Sequence, residues 1–267
     1  MSSDNITITF LGTGTSVGVP VIGCHCPVCT STDPRNNRTR SSVLISTPEV
    51  KLLIDSGPDL REQALREKIS VIDAVIYTHS HLDHVAGFDE MRAFCWKRDS
   101  PLPLYASEST IGALKNMFGW AFHQDNTYKG YIKPDPRVID SPFEIGDLTI
   151  TPLPVTHGSV ETTGFLFQTP TSTRLAYLPD VKHVPETTLA LMGDLDLLVI
   201  DSLRDVPHAT HLSVSEACSI SAGLSPKKTL LTHLSHDLDH TELSARLPEN
   251  VSPAYDGLSY SPALDVL

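Results

Sequence analysis

Three histidines and an aspartate fall within six residues in Thr78-His79-Ser80-His81-Leu82-Asp83-His84, at the end of the apolar run Ile72, Ala74, Val75, Ile76 and Tyr77. In an extended segment alternate residues project to one side, so His79, His81 and Asp83 share a face while His84 turns to the other. One short loop can therefore feed two adjacent metal ions. Two such cations perform hydrolysis: they lower the pKa of a shared water to give hydroxide near neutral pH, and they neutralise charge developing on a phosphoryl or carbonyl oxygen. Packed imidazoles without a cation or carboxylate nearby would lose solvation and repel one another when protonated, which disfavours a metal-free cluster. Zinc, manganese or iron would each suit a mixed nitrogen and oxygen set.

Two metals need more donors than this motif holds, and the ends of later strands are where loops can supply them. His157 follows the apolar positions Ile150, Leu153 and Val155; Asp180 follows Leu175 to Leu178; His233 follows Leu230, Leu231 and Thr232. Each has a bland alternative on its own, a hydrogen-bonded structural histidine for His157 and His233 and a turn cap for Asp180. A second cluster stands in Gly23-Cys24-His25-Cys26-Pro27-Val28-Cys29, where three of the five cysteines lie within six residues, Cys95 and Cys218 being the others. Close thiols in a reducing compartment point to zinc rather than to a disulfide. A closed zinc site wants a fourth ligand. His25 is wedged between Cys24 and Cys26, which leaves His236 as the better candidate.

The elements that must position these groups alternate between strand and helix. Ile6 to Leu11 reads as a strand, and Val43 to Ile45 with Val50 to Ile54 as a pair around Pro48. Phe143 to Leu153 reads as a hairpin turning at Gly146-Asp147, and Phe165 to Phe167 with Leu175 to Leu178 as another. Leu195 to Ile200 and Thr229 to Thr232 are apolar runs of strand length. Helices are expected at Leu60 to Lys68, Phe88 to Lys97, Thr110 to Phe118, Thr187 to Met192 and Val214 to Ala222, the last opened by a capping box between Ser213 and Glu216. The class is α/β. With 267 residues, 40% of them apolar, the chain can bury a large core, and no shift in composition marks a linker, so one domain over 1–267 is expected. The start Met1-Ser2-Ser3-Asp4-Asn5 carries no basic region followed by an apolar stretch, and no apolar run reaches membrane-span length. A cytoplasmic protein with no membrane partner is expected. The net charge of −12 disfavours stable nucleic-acid binding, whose affinity comes from lysine and arginine. A small anionic substrate remains compatible with it, because bound metals dominate the local field.

The pattern His79-x-His81-x-Asp83-His84 followed by His157, Asp180 and His233 resembles the metallo-β-lactamase superfamily. The resemblance implies a four-layer αββα sandwich with a binuclear site at one edge, between the sheets. It implies that His79, His81 and His157 hold one metal, that Asp83, His84 and His233 hold the other, and that Asp180 bridges them. It also matches Asp55, in Leu53-Ile54-Asp55-Ser56-Gly57, to an aspartate that supports the ligands from behind; the alternative is a simple turn residue. Further motifs sharpen the likeness to one branch, which includes the phosphoribosyl cyclic phosphodiesterase of the carbon–phosphorus lyase pathway. They are Gly12-Thr13-Gly14-Thr15 through Gly18-Val19-Pro20, the three-cysteine segment, Leu231-Thr232-His233-x-Ser235-His236, and Asp256-Gly257. Such members look to carry a structural zinc, here on Cys24, Cys26, Cys29 and His236. The glycines lack the spacing of a dinucleotide loop.

Cleavage of a phosphodiester also needs a proton for the leaving oxygen. His211 is the candidate general acid, aligning with a histidine so used in the branch, with His208 as its rival and a residue merely preceding the Ser213 helix as the alternative. Asp83 is expected both to ligate a metal and to orient the attacking hydroxide. Phe118 to Ser141 shows no periodicity and reads as a loop over the site, its aromatic residues either stacking a base or sugar or packing the loop. The leading expectation is a binuclear enzyme, with zinc or manganese, hydrolysing a small or cyclic nucleotide or sugar phosphodiester by attack of metal-activated hydroxide. The alternatives are a thioester or acyl hydrolase of the glyoxalase II type and a catalytically silent zinc-binding regulatory protein. A homodimer is the common default for such enzymes.

Overall fold

The computed structural model describes residues 5–96, 98–123 and 125–264. The helix end expected at Lys97 and the leading residues Met1 to Asp4 fall outside these. The first half of the chain builds one mixed sheet: β1 (Thr7–Gly12), β2 (Ser42–Ser46), β3 (Lys51–Ile54), β4 (Ala74–Ile76), β5 (Leu102–Ala106) and β6 (Pro134–Val138) lie side by side in chain order. The second half builds another, again in chain order: β7 (Phe143–Ile145), β8 (Leu148–His157), β9 (Val160–Gln168), β10 (Arg174–Leu178), β11 (Leu197–Asp201), β12 (Lys228–Thr232) and β13 (Val251–Pro253). The last strand, β14 (Ser259–Tyr260), crosses back to pair antiparallel with β1.

Strand periodicity explains why the sheets stack. Leu52 and Ile54 of β3, and Leu197 and Val199 of β11, point into the layer between the sheets, where they meet Phe10, Phe165, Phe167 and Tyr177. Their neighbours point outward. Leu53 and Val75 meet Leu60 of α1 (Leu60–Arg66), Val85 of α2 (Leu82–Val85) and, beyond α3 (Arg92–Cys95), Ile111 and Leu114 of α4 (Glu108–Met117). After α5 (Gly119–Phe122) and α6 (Glu186–Leu189), Leu198 and Ile200 of the second sheet meet Val214 and Ala217 of α7 (Val214–Leu224) and Leu243 of α8 (His240–Arg246). Both faces of each sheet are thus apolar, and four layers, αββα, result. The capping box of α7 is present, Ser213 and Glu216 satisfying each other's end of the helix.

The segment 118–141 departs from its expected place. It contains α5 and the edge strand β6, and β6 runs parallel to β5 with Pro134 opposite Leu102. The backbone N–H of Leu102 donates to Lys133 O at 2.8 Å, so the approach to β6 lies where β5 begins. His79 emerges at the opposite edge, beyond the end of the parallel β4. The aromatic side chains pack on one another there, Tyr131 lying 5.0 Å from Trp120 and 4.9 Å from Tyr128 between ring centroids, rather than covering the site. None of the described helices is long and apolar enough to cross a membrane.

Candidate metal centre and active site

Five strands, β4 of one sheet and β8, β10, β11 and β12 of the other, end along a common edge, and each passes a polar residue into the cleft between the sheets. Thr78 and His79 follow β4, His157 ends β8, Asp180 follows β10, Asp201 ends β11 and His233 follows β12. His79, His84, His157, Asp180 and His233 are all buried, while His81 is open to the cavity.

Asp55 organises the first loop from beneath. Its backbone is left-handed, φ 64°, and its carboxylate accepts from Thr78 N at 2.8 Å, Thr78 Oγ1 at 2.8 Å and His84 Nδ1 at 2.7 Å. With its proton committed to Asp55, Thr78 Oγ1 can only accept from His79 Nδ1, 2.9 Å away. His157 Nδ1 donates to Thr210 O at 2.8 Å. In each case the outward nitrogen carries the proton, and Nε2 is left with its lone pair turned to the centre, the arrangement in which imidazoles ligate metals. Gly57 admits the loop: a Cβ there would stand 2.2 Å from Asp83 O.

The ligand atoms fall into two sets, His79, His81 and His157 in one and Asp83, His84, Asp180 and His233 in the other, each within 4.8 Å. Asp180 reaches toward both, with Oδ1 3.2 Å from His84 Nε2 and Oδ2 3.3 Å from His233 Nε2 and 3.8 Å from His157 Nε2. His84 Nε2, both ring nitrogens of His233 and Asp180 Oδ1 are buried without a hydrogen bond among the described residues. His84 and Asp180 are close enough to bond yet wrongly angled for it, as donors converging on a third atom would be. Separations near 3 Å between donors are also what two ligands roughly 2.1 Å from one ion require. The residues fit a pair of divalent cations.

Electrostatics leads to the same demand. Burial opposes ionisation of Asp83 and Asp180, yet the neighbouring imidazoles hold both carboxyls well below the usual range. Burial likewise opposes the charge on His233, but Asp180 and Asp83 lift its pKa to about 9. These carboxylates therefore call for positive charge between them.

His211 adjoins the centre, its ring 4.6 Å from those of both His157 and His233. Its Nδ1 lies 2.7 Å from Asp201 Oδ2, which also accepts from Val181 N at 2.9 Å. Asp201 is no candidate on sequence grounds, although it ends an apolar run as His157 does and His233 directly follows one. The rival His208 stands farther out, 5.4 Å from His211, with its Nδ1 against Thr210. A cavity of about 260 Å³ opens over the centre, lined by Ser16, Asp83, Ser159, Val160 and His211 among others.

The second donor set assembles as well. His236 Nδ1 lies 3.3 Å from Cys24 Sγ, 3.6 Å from Cys26 Sγ and 3.5 Å from Cys29 Sγ. A tetrahedral zinc with ordinary bond lengths holds sulfur and nitrogen about 3.5 Å apart, so the four residues fit that ion. All three thiols are free of disulfides. The Cys29 backbone N–H draws the Cys26 thiol down to about 6, while burial lifts that of Cys29 to about 11; a cation would favour ionising the two together.

The beta-lactamase superfamily domain matches residues 51–234, which span both donor-bearing halves of the cleft. The chain belongs to this superfamily. Its fold implies divalent metal ions, and membership places the chain among metal-dependent hydrolases. A Porphyromonas gingivalis protein called octanoyltransferase is 36% identical over 258 residues, 93% of this chain and 50% of that protein, so the chain spans half its length. The probable metallo-hydrolase YhfI of Bacillus subtilis is 27% identical over 240 residues, 84% of this chain and 90% of that one. Among solved superfamily structures, a diphosphatase from the PhnP family superposes with a TM-score of 0.89 at 39% identity, covering 96% of this chain and 97% of its own.

Proposed function

We propose that the chain is a binuclear metal-dependent phosphodiesterase for small diesters, and the observation that carries this reading is the His211–Asp201 pair beside the metal donor set. An acyl thioester expels a thiolate, a weak base that leaves unprotonated, whereas a phosphodiester expels a far more basic alkoxide that gains from a general acid. Asp201 accepts from His211 Nδ1 and fixes the ring, so Nε2 is the nitrogen left to deliver a proton to the leaving oxygen. His79, His81 and His157 would hold one cation, Asp83, His84 and His233 the other, and Asp180 would bridge them. When bound, the pair would supply an acidified water and Lewis acidity toward the phosphoryl oxygens. Asp83, which lines the cavity 3.4 Å from His84, is placed to orient the attacking water. Cys24, Cys26, Cys29 and His236 would hold a structural zinc.

The cavity supports a small substrate. Among the described residues Val160 is its one large apolar side chain and no lysine or arginine lines it, so a singly charged diester suits it better than an eight-carbon acyl chain. The structural neighbour is a diphosphatase, which makes substituted diphosphates the second substrates to try. The test compares initial rates of the zinc- and manganese-loaded protein on a chromogenic phosphodiester and on an acyl thioester, with Asp83→Ala as blank. Diester turnover that vanishes in the variant is expected; thioester turnover alone would replace this reading with the acyl-hydrolase one.

A further inference from the structure

Asp256 is far from the metal donors in sequence and is not among them, yet its contacts lead straight to one. Its side chain is nearly buried, and both oxygens are fully used: Oδ1 accepts from Thr13 N at 2.9 Å and Thr13 Oγ1 at 2.8 Å, Oδ2 from Thr39 N at 2.8 Å and Thr39 Oγ1 at 2.6 Å. Thr13 in turn presents its carbonyl to Leu234 N at 2.8 Å, and the following Gly14 bridges to Leu234. Leu234 is the residue after His233, whose backbone stands in the left-handed region at φ 59°. That conformation is uncommon for a residue other than glycine, and the contacts on either side hold it. On one side is β12; on the other is the Leu234 amide, anchored to Thr13 and through it to Asp256.

We infer that Asp256 is a positioning residue for the metal centre, setting His233 through Thr13 and Leu234; the inference rests on the reading of His233 as a ligand. The two threonine backbone N–H groups approach opposite oxygens of one carboxylate, so an amide in its place must turn its NH2 toward one of them. Arg66 Nη1 stands 3.6 Å from Oδ2 and favours an oxygen there, so Asp256→Asn sets donor against donor at Thr13 while keeping the shape of the side chain. Substitutions behind a ligand typically weaken metal binding by about 10–100-fold.

The test titrates the protein, with zinc in its cysteine site, with manganese(II), and follows binding by calorimetry and the electron paramagnetic resonance of the bound ions. Parent protein should bind two manganese ions as a spin-coupled pair. Asp256→Asn should bind one of them about tenfold or more weakly and lose the coupled signal, with the zinc content unchanged. Thr13→Val, which removes one donor on the path, should weaken the same ion, and Thr39→Val, off the path, should not. If Asp256→Asn does not fold, these two threonine variants decide the matter alone. Parent-like affinity and signal in Asp256→Asn or Thr13→Val, whatever their melting temperatures, would overturn the inference, as would equal weakening in Thr39→Val. A parent protein that binds no pair would instead remove the binuclear reading itself.

Discussion

At His211 a carboxylate on a neighbouring strand chooses which ring nitrogen can deliver a proton. Asp201 claims Nδ1, so the proposed acid acts through Nε2, and its loss should be felt in proportion to the basicity of the leaving oxygen. His211→Ala is expected to retain its active-site metals, to cleave alkyl diesters about 10²–10⁴-fold more slowly, and to approach parent rates on a nitrophenyl ester. Equal losses across leaving groups, measured as kcat/KM with metal content in parallel, would argue against general-acid catalysis. The candidate donors stand out in the sequence because His79, His157, Asp180 and His233 each lie at or just past the end of an apolar run, a place strands seldom give to such residues. Asp201 obeys the same rule. Its role is not legible in the sequence because a lone carboxylate after the run Leu195 to Ile200 carries no motif spacing of its own; it shows through its partner, His211.

Among the elements, the loop after β12 carries two assignments in four residues, His233 toward the catalytic cleft and His236 toward the thiols. Arg38 reinforces it, donating to Ser235 O and Leu238 O, each at 2.7 Å. A zinc on His236 would therefore tie the 24–29 segment to this loop and stabilise the fold more than the chemistry. Cys26→Ser should lower the melting temperature by several degrees while leaving most of the binuclear metal in place; unchanged melting with lost activity would move the thiols into the active site. Element prediction succeeded where periodicity was strong, as in β1 to β3, β8 to β12 and the capped helix α7. It failed at β6, Pro134-Asp135-Pro136-Arg137-Val138, because prolines argue against a strand and are tolerated here only on the sheet edge. It also passed over α8, whose seven residues are mostly polar, although Asp239 accepts from the N–H groups of Thr241 and Glu242 as a helix cap does.

The molecule as a whole joins two sheets across a buried seam, and a histidine caught away from the cleft contributes to its response to acid. His240, at the start of α8, is buried, which pushes its imidazole down to about 4, with Arg35 and Arg38 adding repulsion against the attraction of Asp33 and Asp239. In the unfolded chain the same group returns to about 6.5, so unfolding takes up a proton, and this contribution to stability is lost as pH falls from about 6.5 toward 4. Relative to His240→Asn, the parent's stability measured by urea unfolding should decline across that window, and a difference constant from pH 7 to pH 4 would contradict the assignment. The sheets also share a seam in time. Thr9 and Ser259, 250 positions apart, meet where β14 closes the outer edge of β1. While the polypeptide is still leaving the ribosome, His79 to His84 emerge well before His157, Asp180 and His233, and β1 waits for β14. The cleft therefore acquires its full set of candidate donors only after His233 has emerged, some way behind the loop that opens it.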